Sequence, residues 1–241
     1  MKNKNNLYLA RNMDMFPEYK KTSESVLYRV KNKNTFLAHS TAMISLEDGI
    51  NEYGLCTALT FLLSKKIKPG INGGFIIRKT TEEAVEMIKT LPISSSHNII
   101  IADRNGNMAV VECTSKEINI RYDKDYVIAT NHFISNNMIK YNNNEINWYY
   151  TNDRYNTIDN CLKNSSNIDF EECKKIISGK YGFVCQFEKK LNFDTIWSCV
   201  YDLNSLYSEI CEGNPSKTKY KVDNRLEWGL KQNKNKLSRR L

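Results

Sequence analysis

The chain has 241 residues, enough for one large domain or two small ones. Hydrophobic residues make up 41%, which supports a real core, and no apolar run reaches the roughly 18 residues that a membrane-spanning helix needs. The formal charge is +8, but nine Lys and Arg stand against only Asp223 and Glu227 between Lys217 and Leu241; the excess is a basic end, not the basic face with interleaved aromatics of a nucleic-acid binder.

In chain order, Leu7-Tyr8-Leu9-Ala10 reads as a strand ending at Arg11. Val26–Val30 and Thr35–His39 flank the polar Lys31-Asn32-Lys33-Asn34 as a hairpin, and Ala42–Ser45 continues as strand. Leu55–Leu63 is a long apolar run, expected as a buried strand. Thr80-Thr81-Glu82-Glu83 is a capping box that opens a helix, with Ala84, Ile88 and Leu91 on one stripe and Pro92 as its stop. Asn98–Ala102 and Met108–Cys113 form a hairpin about Asn105-Gly106. Ile118–Tyr122 and Tyr126–Thr130 are expected to form another. Helices follow near Thr151–Asn164 and Asp169–Ser178, the second closed by Gly179. Thr195–Asp202 and Leu206–Glu212 return to strand. Lys217 onward reads as a solvated tail with a short helix near Leu226–Leu230. Many antiparallel strands with a few helices give the class α+β.

The seven cysteines include no C-x-x-C pair. They lie mostly in apolar runs and read as small buried hydrophobes of a reducing compartment, so the expected location is cytoplasmic. Residues 1–6 do not read as a secretory signal. His39, His97 and His132 lack metal-ligand spacing with any Cys or carboxylate cluster, and Ile71-Asn72-Gly73-Gly74 reads as a turn, not a phosphate loop. No metal and no other cofactor is expected.

Four short motifs carry chemistry: Arg11-Asn12-Met13-Asp14, Asp48-Gly49-Ile50-Asn51-Glu52-Tyr53-Gly54-Leu55, Thr130-Asn131-His132-Phe133 and Tyr150-Thr151-Asn152-Asp153-Arg154. Taken singly, the first is a turn with an Asx bond, the third a loop and the fourth an exposed helix start. In this order the set resembles the choloylglycine hydrolase and penicillin acyltransferase families, linear-amide hydrolases of the N-terminal-nucleophile type. Thr81–Val85, Ile101-Ala102-Asp103, Val111-Glu112 and the run from Thr195 to Pro215 extend the resemblance over about residues 7–220. The remainder, 221–241, is the basic tail.

The resemblance implies an αββα sandwich, two antiparallel sheets between helical layers. It implies an N-terminal cysteine whose thiol attacks an amide carbonyl while its own amine takes the proton. Arg11 then corresponds to the arginine that favours thiolate, and Asp14 to the aspartate that orients the amine. Asn131 corresponds to the oxyanion-side asparagine, and Arg154 to an arginine that supports the first pair. Thr60 falls near a further oxyanion position, where only its backbone N–H is expected to serve. Asp48–Leu55 is expected to be a turn that sets the following strand. The expected ligand is a small acyl amide. Nucleic acid and membrane are not expected partners, and a homo-oligomer is compatible with the sequence.

Two departures bear on function. No cysteine precedes Arg11; the first is Cys56. The expectation is a further strand, carrying the nucleophile, ahead of the turn-like Lys2–Asn6. The helical residues that family members carry between Arg78 and the Thr81 helix are also absent, which favours a smaller acyl-amide hydrolase or acyltransferase over a bile-salt hydrolase. The alternative is a pseudoenzyme of the same fold that binds acyl amides or a protein partner without cleaving.

Overall fold

The computed structural model describes residues 1–3, 6–41, 46–62, 75–143, 149–165 and 167–238. The strands are β1 (Lys2–Asn3), β2 (Asn6–Met15), β3 (Glu24–Arg29), β4 (Thr35–Ser40), β5 (Asp48–Asn51), β6 (Leu55–Phe61), β7 (His97–Asp103), β8 (Met108–Cys113), β9 (Ile118–Tyr122), β10 (Asp194–Asp202), β11 (Tyr207–Cys211) and β12 (Lys221–Val222). The helices are α1 (Thr81–Thr90), α2 (Thr151–Asn164), α3 (Phe170–Ile177) and α4 (Arg225–Ser238).

Alternation of side chains along each strand builds the layers. One sheet has the order β1-β2-β10-β11-β12, and the other runs β3 to β9 in sequence. Leu7 and Leu9 of β2, with Cys199 and Tyr201 of β10, meet Leu37, Ile50, Cys56 and Ala102 of the second sheet. The opposite face of the first sheet, with Tyr8 and Val200, lies under Cys173, Ile176 and Ile177 of α3. On the far face of the second sheet, Leu55, Ile99, Ile101, Ala109 and Val111 pack under Ala84, Val85 and Ile88 of α1. Each fully buried Leu, Ile or Val among them contributes about 1.5–3 kcal/mol. The result is the expected αββα sandwich, with an α+β composition.

Local chemistry sets the ends of these elements. The Thr80 hydroxyl accepts from the Glu83 backbone N–H at 3.2 Å and caps α1. Asp169 does the same for α3 through Glu172 N–H at 2.7 Å, and Gly179 follows at φ +75°. Gly106 at φ +92° turns the β7–β8 hairpin.

Several expectations change. Tyr126–Thr130 is not a strand; its carbonyls are taken by side chains instead of a ladder, Ile128 O by Arg121 at 3.0 Å and Thr130 O by Asn98 at 2.8 Å. β2 does not stop at Arg11 but runs to Met15, so Arg11-Asn12-Met13-Asp14 lies within a strand and not in a turn. Asp48 begins a buried strand, and the turn occupies only the end of its motif, with Gly54 at φ +74°. The basic end is not wholly a solvated tail: β12 pairs with β11, and Leu226 of α4 is buried between the sheets. Ala42–Ser45 and Ile71–Gly74 lie outside the described residues.

Candidate active site

Five consecutive residues of β2, Ala10 to Asp14, line one cavity of about 140 Å³. Successive side chains on a strand point to opposite faces. A cavity that touches all five must therefore run along the strand's edge, and one edge of β2 is occupied by β10. On the other edge β1 pairs only at Leu7 and Asn6, with Met1 and Tyr8 exchanging backbone bonds just beyond. A smaller apolar cavity of about 100 Å³ shares Ala10, Ile100 and Ile177 with the first and extends it to Tyr8 and Met1. Together they make a groove along β2 from Met1 to Asp14.

Arg11, Asp14, Thr60, Asn131 and Arg154 all line the larger cavity. Arg154, on the first turn of α2, is bonded to two of the others, Asp14 and Asn131. Its Nη1 donates to Asp14 Oδ2 at 3.0 Å, its Nη2 to Asn131 Oδ1 at 2.7 Å and its Nε to Tyr149 O at 2.9 Å. Tyr150, at φ +50°, turns the chain into α2 just before it. Burial pushes the Arg154 guanidinium below its ordinary pKa, opposed by Asp14. Burial likewise pushes the Asp14 carboxyl up, opposed by Arg154 and by the Thr195 hydroxyl, which donates to Oδ1 at 2.6 Å. That hydroxyl arrives through a β-bulge, since β10 shifts register between Thr195 and Trp197 opposite Asp14.

Arg11 does not bond to these three. Its Nη1 donates to Asp48 and its Nη2 lies 2.8 Å from Met13 Sδ. The guanidinium also sits 5.7 Å over the Trp197 ring. Asp48 is fully enclosed and accepts further from His39 Nδ1 at 2.6 Å, Tyr201 Oη at 2.8 Å and Trp197 Nε1 at 3.4 Å. Burial alone would raise the Asp48 pKa, but His39 and Arg11 hold it well below the usual carboxylate range. Burial would lower the Arg11 pKa, and Asp48 and Glu47 outweigh it and raise it.

Asn131 Nδ2 donates to Phe61 O at 2.8 Å, and its backbone N–H donates to the Thr151 hydroxyl at 2.8 Å. The Thr60 hydroxyl is committed to Thr130 O at 2.8 Å, so it is a brace for the Asn131 loop. Asn98 donates to the carbonyls of Thr130 and His132 on either side of that residue.

Sequence reasoning missed Asp48, Glu47 and Thr195. Glu47 lines the cavity, one oxygen bonded to the Thr41 hydroxyl and the other 3.9 Å from Arg11 Nη2. Asp48 stands opposite His39 on paired strands, a pairing that no local sequence signal gives. His39, Asp48 and Cys199 bring potential metal ligands within 4.8 Å of one another. The trio is a poor cation site, because Asp48 already takes four donors and one of them is a guanidinium.

A family model described as acyl-coenzyme A:6-aminopenicillanic acid acyl-transferase matches residues 1–217. Among solved structures, a Caenorhabditis elegans ortholog of N-acylethanolamine-hydrolyzing acid amidase is similar at 16% identity and TM-score 0.61, over 84% of this chain and 90% of that one. Penicillin V acylase from Agrobacterium tumefaciens gives 16% and 0.58, over 87% and 80%. A mutant conjugated bile acid hydrolase from Clostridium perfringens gives 16% and 0.55, over 90% and 84%. A comparison with curated protein sequences returned no match. At these identities the structures establish a shared fold.

Proposed function

The chain belongs to the acyl-coenzyme A:6-aminopenicillanic acid acyl-transferase family, and from that premise we propose that the groove along β2 is an acyl-amide centre that works by thiol chemistry. The observation that carries the reading is the set of β2 residues lining it. A cavity along a strand edge fits a nucleophile delivered on a neighbouring strand, with Arg11 and Asp14 on either side of that edge.

None of the seven cysteines lines the larger cavity, where Arg11 and Asp14 stand, although Cys173 lines the smaller one. The reading therefore places the thiol on a strand that continues β1. Lys2 pairs with Leu7 and Asn3 with Asn6, so each step upstream advances one step along β2 from Tyr8. In that register the sixth residue before Met1 stands opposite Asp14. There Arg11 favours the thiolate by charge, and Asp14 orients the amine that holds the thiol's proton. The sulfur adds to the amide carbon and the carbonyl oxygen becomes an oxyanion. The second N–H of Asn131 Nδ2 is the donor for it, a contribution of about 3–4 kcal/mol to the barrier in comparable sites. The C–N bond then breaks, the amine leaves with the proton, and water or an acceptor amine takes the acyl group from sulfur.

The test is to assay N-acyl amides with the protein preceded by whatever residues its gene encodes upstream of Met1. Amine release that thiol alkylation abolishes supports the reading. A folded protein that binds acyl amides without releasing amine supports the second reading, a pseudoenzyme, which is favoured by the absence of any cysteine from the wall of the larger cavity.

A further inference from the structure

We propose that Asp48 and His39 are positioning residues for Arg11, so that the chemistry of the cavity depends on two side chains that do not touch it. The inference rests on the acyl-amide reading for its catalytic consequence, but the positioning itself does not.

Neither residue lines the cavity, whereas Arg11 does. Arginine is a long side chain with several rotatable bonds, and fixing one costs about 2 kcal/mol of rotamer entropy. A guanidinium that serves a reacting sulfur has to be held before the sulfur arrives. Here it is held from behind. Asp48 grips Nη1, Trp197 lies under the guanidinium plane and Met13 Sδ meets Nη2. Asp48 is fixed in turn by donors from both sheets: His39 from β4 on one side, Trp197 and Tyr201 from β10 on the other. Tyr201 Oη lies 2.9 Å from His39 Nδ1 as well, closing a triangle about Asp48 Oδ1.

The contacts of His39 are one-sided. Its Nδ1 is committed to this triangle, while Nε2 is buried with no hydrogen-bond partner. A buried, unmatched polar atom costs about 1–3 kcal/mol. An apolar side chain would avoid that cost but would leave the buried Asp48 carboxylate one donor short; what the histidine supplies here is the Nδ1 donor for Asp48. The neighbouring Glu47 and Asp14 also act on the Arg11 charge. Glu47 lies 3.9 Å from Nη2, too far for a hydrogen bond, and the carboxylate that hydrogen-bonds to the guanidinium is Asp48.

The experiment has two arms. In the first, ¹⁵N–¹H spectra of the chain follow the Arg11 guanidinium, assigned by loss in Arg11→Lys. Separate, slowly rotating Nη signals are expected in the wild type and in His39→Asn, whose amide N–H replaces the Nδ1 donor. Averaged signals are expected in Asp48→Asn and His39→Leu. Unchanged Arg11 signals in both of the latter overturn the proposal. Tyr201→Phe keeps the site testable if Asp48→Asn does not fold, and its Arg11 signals should broaden. In the second arm, kcat/KM for an acyl amide is followed against pH with the protein preceded by the residues its gene encodes upstream of Met1. A fall of roughly tenfold to hundredfold in kcat with little change in KM is expected for His39→Leu, its acid limb moving up by about one pH unit as the thiolate loses its partner. His39→Asn should restore both. An unchanged profile in His39→Leu overturns the catalytic part. Absence of turnover in the wild type counts against the acyl-amide reading instead, and the Arg11 signals still decide the positioning.

Discussion

Arg154 Nη1 lies 3.0 Å from Asp14 Oδ2, a buried ion pair between residues 140 apart in sequence. Replacing Arg154 by Met leaves the Asp14 charge enclosed, with the Thr195 hydroxyl bonded to it and the Arg11 charge farther off. Such a loss costs about 3–5 kcal/mol. Urea denaturation should show this for Arg154→Met and a smaller loss for the double variant with Asp14→Asn, because the unmatched charge is gone. Equal losses in the two proteins would mean that the pair contributes no charge compensation.

Glu47 carries a raised pKa, driven by burial and opposed by Arg11, and its Oε2 has no hydrogen-bond partner. A carboxyl whose folded pKa is raised favours folding while protonated, and that contribution fades as pH rises from 4.5 through the folded value. Glu47→Gln should therefore gain stability relative to wild type at neutral pH, and the gap should close toward pH 4. Chemical denaturation at a series of pH values checks it; a gap that widens on acidification would reverse the sign.

His97 has the opposite dependence. Burial lowers its pKa from 6.5 to about 4, so the folded state prefers the neutral ring. Its contribution is present above pH 6.5 and is lost as pH falls toward 4, a cost of about 3 kcal/mol. Thermal melts between pH 7 and 4 should fall more steeply for wild type than for His97→Gln. Parallel curves would show that His97 is not the group responsible.

The cysteine thiols should be inert in the native state. Burial pushes Cys113 and Cys185 to about 12 and Cys173 to about 11, and six of the seven are buried, Cys161 alone being partly exposed. Iodoacetamide at pH 8 should modify Cys161 first, with the others reacting only on unfolding. Rapid labelling of Cys185, which is buried, would show that the native state opens around it.

What the sequence made legible was periodicity and turn chemistry. The capping box at Thr80, the Asn105-Gly106 turn and the limits of α2 are local signals, and each appears in the structure. That Arg11, Asp14, Asn131 and Arg154 belong to one site was what the family resemblance implied, and all four line one cavity. Illegible were features that depend on partners far along the chain. Nothing local shows that Thr130 O is claimed by Thr60 and Asn98, which leaves residues 126–130 outside the sheet. Nothing local shows that Asp48 faces Arg11 across the sandwich, so a buried anchor looked like part of a turn. The basic end misled because charge was weighed over its whole length, while Leu226 inserts into the core and Leu230 packs against it.

The most direct test of the acyl-amide site is mass spectrometry of the protein, with any residues encoded ahead of Met1, quenched during turnover of an N-acyl amide. The account predicts one acyl group per chain, mapped to a cysteine at the start of the chain and absent in Asp14→Asn. An acyl group on any of the seven cysteines from Cys56 to Cys211, or turnover by folded Asp14→Asn at the wild-type rate, would contradict it.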